Sequence, residues 1–171
     1  MAYKTDAVAN YFLELANIEG AAISPMKLQK LLYLAHGWSL ALANEPLLDK
    51  DIQAWKYGPV IPSVYHEFKE FGNEPITSRA AAFSIEDGKF KTNYPELPDG
   101  IEHQWVRELL KKVWEVYKPL SAVQLSTYTH LPGSPWSQTI GNDKTGFPSD
   151  RVISNDIIKE YFLSLTAHNN E

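Results

Sequence analysis

At 171 residues, 44% of them hydrophobic and 12% aromatic, the chain can build one sizeable core and is far from a disordered composition. Lys and Arg number 16 against 21 Asp and Glu, and the formal net charge of −5 excludes the broad basic footprint of nonspecific nucleic-acid binders. Cysteine is absent, which excludes disulfides, thiolate chemistry and cysteine-held zinc.

No window approaches the roughly 18 apolar residues that a membrane helix needs, and no apolar signal core follows Met1. The expectation is a single-domain, soluble, cytoplasmic protein that does not meet the membrane. Its fold class is mainly α, a compact domain of about six helices with a small β-hairpin.

In chain order, Ala7, Val8, Tyr11, Phe12, Leu15 and Ile18 recur at helical spacing, and Gly20 ends that helix. Ser24 caps a second, with Pro25 at its first position, a core stripe of Leu28, Leu31, Leu32, Ala35, Trp38 and Leu42, and a stop at Asn44-Glu45-Pro46. Leu47-Leu48 and Ile52 to Lys56 read as two arms of a hairpin about the turn Asp49-Lys50-Asp51. Gly58-Pro59 and Pro62 break regular structure. A third helix runs from Pro62 or Ser63 to Phe71, closed by Gly72, with Val64, Phe68 and Phe71 inward.

Residues 73–100 are punctuated by Pro75, Gly88, Pro95, Pro98 and Gly100, and read as an irregular, mobile loop with a weak hairpin at Asp87-Gly88. Asp99 with Glu102 forms the capping box of the longest helix, whose apolar face is Ile101, Trp105, Val106, Leu109, Leu110, Val113 and Tyr117. Ser121 caps a short helix to Thr129. An irregular arm carries Thr129-His130-Leu131-Pro132-Gly133-Ser134-Pro135-Trp136, and Ser154 caps a final helix bearing Ile157, Ile158, Tyr161, Phe162 and Leu165.

Chemistry is sparse. There is no Gly-x-Ser-x-Gly elbow, no phosphate-binding loop and no paired histidines at metal-ligand spacing, so no catalytic residue, metal ligand or cofactor is expected. Asp49 and Asp51 lack the remaining ligands of a calcium loop. His36, His66, His103 and His168 read as structural or solvent-facing. His130, at a helix end, suits orphan carbonyls and the helix dipole, with a partner site as the other reading.

Tyr33, Trp38, Trp55, Tyr57, Tyr65 and Trp136 surround proline-fixed backbone. Large aromatics there either fill the core or form a pre-organised binding face. Trp55→Ala separates the two readings, since loss of a core ring costs roughly 3–5 kcal/mol. Lys27, Gln29 and Lys30 lie off the leucine stripe of their helix, where polar residues have less structural reason to be.

Lys-Leu-Gln-Lys-Leu-Leu-Tyr (27–33), Gly37-Trp38, Pro46-Leu47, Ala-Trp-Lys-Tyr-Gly-Pro-Val (54–60), Tyr65, Leu125, Thr129-His130 and Ser134-Pro135-Trp136 together form a pattern. It resembles the Panacea, or SocA-like, antitoxin domain, met also in prophages as a GepA-type protein. The resemblance spans the first helix to the last and implies a non-enzymatic antitoxin that binds a cognate protein toxin encoded nearby. It also admits an adaptor that delivers its toxin to a cytoplasmic protease, or a prophage protein that binds a host factor. Nucleic acid is not an expected partner. Carried over residue by residue, the pattern points to Lys27, Gln29, Lys30, Tyr33, Trp38, Trp55, Gly58, Pro59, Val60, Tyr65, Thr129, His130 and Trp136 as motif or partner-binding residues.

Overall fold

The longest helix forms where Ser24 offers its hydroxyl to the Lys27 N–H and Pro25 occupies the first turn. This helix, α2 (Pro25–Ala43), is buried nearly all round, and the other helices pack about it. In this computed structural model, which describes residues 1–142 and 150–168, α2 is preceded by α1 (Thr5–Ile18). It is followed by β1 (Gln53–Trp55), β2 (Gly58–Val60), α3 (Pro62–Phe68), β3 (Ala82–Glu86), β4 (Lys89–Asn93), α4 (Gln104–Tyr117), α5 (Ala122–Thr129), α6 (Pro135–Ile140) and α7 (Asn155–His168). The architecture is mainly α, as expected, with seven α-helices and two antiparallel hairpins among the described residues. Among these residues no helix is long and apolar enough to cross a membrane.

Helix α2 meets α7 most closely at Gly37, where an added Cβ would lie 2.3 Å from the Phe162 ring. Only a hydrogen leaves room there. Buried His36 ties the same helix to its surroundings: Nδ1 accepts from the Leu48 N–H (3.2 Å) and Nε2 pairs with Asn155 Oδ1 (2.8 Å). The C-terminus turns off at Asn44 in the left-handed region, φ 56°.

Several expected elements sit elsewhere. The hairpin is not built about Asp49-Lys50-Asp51. Asp49 Oδ1 instead accepts from the Thr5 N–H (2.9 Å) and hydroxyl (2.8 Å), which supplies α1 with the cap that Lys4 cannot. The hairpin lies a few residues later, with Lys56-Tyr57 as its turn, and Gly58-Pro59, expected to break regular structure, belongs to its second strand. The longest helix is α2, not α4. Gly100 at φ +126° replaces the expected Asp99–Glu102 capping box with a 3-10 turn over Ile101–His103. The arm is irregular over residues 130–134, as expected, but Thr129 ends α5 and Pro135-Trp136 open α6, capped by Ser134. Ile18, Leu42 and Ile101 point outward rather than into the core, whereas Trp114 fills it. The caps at Ser121, with Gln124 closing the box, and at Ser154 stand as expected.

Residues 73–100 carry the expected turn at Asp87-Gly88, both at positive φ, between β3 and β4. Buried Asn10 anchors the root of this segment. Its amide donates to the carbonyls of Ala80 (3.0 Å) and Pro95 (3.0 Å), and its oxygen accepts from the Ala80 N–H (2.7 Å). Beyond that root Phe83, Ile85 and Phe90 share one exposed face of the hairpin.

Candidate functional site

The segment from Trp55 to Ile61, which holds the turn and second strand of the β1–β2 hairpin, runs across α2 and α5. Four of its carbonyls accept a side-chain hydrogen bond. Trp136 Nε1 donates to the Trp55 carbonyl at 2.6 Å, and Ser126 Oγ to that of Tyr57 at 2.7 Å. Lys30 Nζ donates to the Pro59 carbonyl at 2.9 Å, and Gln29 Nε2 to that of Ile61 at 3.0 Å. Gln29 Oε1 also accepts from the Ile61 N–H at 2.8 Å, so its amide pairs with one residue as a neighbouring strand would. Polar side chains off the leucine stripe of α2 thus have a structural task. They replace the sheet that a lone hairpin lacks.

Lys30 is 1% exposed, and its amine faces a carbonyl rather than a carboxylate. Burial lowers its pKa from 10.5 to about 7. Gly58, at φ +110°, passes so close that a Cβ would stand 3.0 Å from Lys30 Nζ and 3.1 Å from Thr129 Oγ1. Thr129 Oγ1 donates to the Ser126 carbonyl at 3.0 Å. His130 follows as the C-cap of α5, but the cap bond comes from its backbone N–H to Thr127 O. Its ring lies against Trp136, centroids 5.3 Å apart, and Nδ1 is buried with no hydrogen-bond partner among the described residues. The expected bond from the ring to orphan carbonyls is therefore not the one made.

The outer side of this clamped segment is a groove of about 440 Å³. Trp55 and Tyr65 form one wall, their centroids 5.1 Å apart and their planes tilted by 59°. Pro25, Met26 and Val60 complete the apolar lining, and Gln29 and Lys30 close the floor. Lys56, Tyr57 and Lys69 stand at the rim. Tyr57 and Tyr65 remain 58% and 42% exposed. Such half-wet rings on a fixed backbone can be buried by a partner at little entropic cost. A second cavity, about 850 Å³, lies between α1 and residues 75–99, and none of the motif residues lines it.

The fold therefore brings together Gln29, Lys30, Trp55, Gly58, Pro59, Val60, Tyr65, Thr129, His130 and Trp136. Three others lie apart. Tyr33 and Trp38 pack on Phe162 of α7 at 5.7 and 5.1 Å, where Trp38 Nε1 donates to Tyr117 Oη (3.0 Å) and Tyr33 Oη is buried without a hydrogen-bond partner among the described residues. Lys27 Nζ donates to the Lys118 carbonyl (2.7 Å) beside the Trp114 ring, holding α4 to α2. Missed by sequence reasoning were Met26, Ser126 and Lys69, which carry no signal of their own. Tyr57, one of the aromatics read as core or binding face, lines the groove, and Lys56 beside it is marked by the same run 54–60.

Residues 28–137 match the family described as antitoxin SocA-like, Panacea domain. Antitoxin SocA of Caulobacter vibrioides is 34% identical over 156 residues, covering 91% of this chain and 80% of that protein. No solved structure matches.

Proposed function

The chain belongs to the SocA-like Panacea domain family, and from that premise we propose that it is an antitoxin, a non-catalytic protein that neutralises a protein toxin by binding it directly. The observation that carries this reading is the division of the motif residues into two layers. Gln29, Lys30 and Trp136 hold the segment 55–61 from within, and Gly58 lets it pass close to Lys30 and Thr129. Trp55 and Tyr65, on the outside of the same segment, offer aromatic area to a partner.

The test is co-expression with the adjacent gene in the cytoplasm. That gene is expected to arrest growth alone, and this chain to restore it. Trp55→Ala and Tyr65→Ala proteins that fold but fail to rescue place the contact on the groove. An unchanged toxin half-life during rescue is the expected result of masking; a shortened one assigns the chain the role of an adaptor to a cytoplasmic protease. A harmless neighbour contradicts the reading and leaves a host protein as the target.

A further inference from the structure

We propose that the groove receives an acidic segment of a partner protein, seating an apolar side chain against Trp55 and Tyr65 while Lys56 and Lys69 hold flanking carboxylates. The proposal rests on the antitoxin reading and adds the chemistry of what is bound. Its first support is charge. The chain carries a net −5, yet every charged side chain lining the groove is a lysine and none is a carboxylate.

The second support is that the rim cations are uncommitted. Lys56 and Lys69 have no carboxylate within ion-pair distance among the described residues, and the Lys56 amine stands 5.4 Å over the Tyr57 ring. Among the described residues other lysines, Lys111 and Lys112 included, are also without an ion pair, but Lys56 and Lys69 stand beside an apolar slot. Exposed lysines flanking an apolar slot favour a partner whose carboxylates flank an apolar residue.

The third is size and composition. A slot of about 440 Å³ is at the small end of ligand cavities, fit for a side chain or two rather than a folded domain. A nucleic-acid strand is disfavoured, because its affinity grows with many phosphate contacts and only two exposed cations stand here.

The experiment follows the five indole N–H signals of the isotope-labelled full chain. The probes are a blocked peptide with one leucine flanked by glutamates, the same peptide with lysines for glutamates, and an oligodeoxythymidine. The acidic peptide is expected to shift the Trp55 indole and leave those of Trp105 and Trp114 in place. Its affinity should fall at least about tenfold in the K56E/K69E double variant, and fall again between about 0.05 and 0.3 M salt. Both lysines are exposed, so the thermal midpoint should not move, and K111E/K112E on the wet face of α4 serves as the charge-matched control. Equal binding of both peptides, binding of neither, or tighter binding of the oligonucleotide at this groove overturns the proposal.

Rescue of growth by the wild type and equally by K56E/K69E overturns it too, while leaving the antitoxin reading intact. Failure of the wild type to rescue, with the acidic peptide bound as described, removes the antitoxin reading and leaves the groove's chemistry standing.

Discussion

Lys30 holds its amine where water does not reach, and that single placement gives the protein a measurable pH signature. Between about pH 7 and its ordinary value of 10.5, the unfolded chain keeps a proton that the folded chain has released. The contribution of this group to stability therefore rises with pH across that window and is lowest below about 7. Comparing wild type with Lys30→Met by urea denaturation at about pH 7 and about pH 9 cancels the other titrating groups. The difference should grow in favour of wild type at up to about 1.4 kcal/mol per pH unit. A pH-independent difference contradicts the burial of a titrating amine.

Gln29→Met tests the clamp next door. It strands the buried Ile61 N–H and carbonyl, at a cost of roughly 1–3 kcal/mol each, read from the denaturation midpoint. Trp55 differs in kind, since its ring is only half buried. Trp55→Ala should cost about 1–2 kcal/mol, less than the roughly 3–5 kcal/mol expected for Trp114→Ala in the core, yet it should remove partner binding.

At the scale of elements, close packing decides more than propensity. Gly37→Ala pushes a methyl into the Phe162 ring, and overpacking of that kind costs about 1–3 kcal/mol or more. Adding Phe162→Leu should recover part of the loss, a coupling that a double-mutant cycle reads directly. Asn10→Leu unties the root of the β3–β4 segment, so protease cleavage within residues 81–94 should accelerate while α2 stays protected from exchange.

Helix caps written in adjacent residues were legible: Ser24, Ser121 and Ser154 all cap as their sequence context implies. Asp49 was not, because the N–H it satisfies belongs to a residue 44 positions away. A polar cluster between apolar runs looks like a turn until the distant helix end that needs it is known. Trp114 was legible and went unread: it stands four residues after Leu110 and three before Tyr117 on the apolar face of α4, whereas its contact with Glu19, to which the indole N–H donates at 3.0 Å, is set by tertiary packing.

For the whole molecule, most of the motif residues meet at one place while Lys27, Tyr33 and Trp38 pack elsewhere, a division that no local pattern carries. Runs 27–33 and 54–60 and the pair Ser134-Pro135 are far apart in the chain, and only the fold shows that they converge on one strand segment. Gln29 and Lys30 looked like candidates for contact because nothing local explained them, and their partners are backbone carbonyls about thirty residues on.

Direct binding through that segment, as proposed, is tested most directly by titrating the purified chain against the purified product of the neighbouring gene. Saturable binding tighter than about 1 μM is expected, lost in Trp55→Ala while the variant keeps its fold. Rescue of growth with no binding in that titration, or full binding by Trp55→Ala, would contradict it.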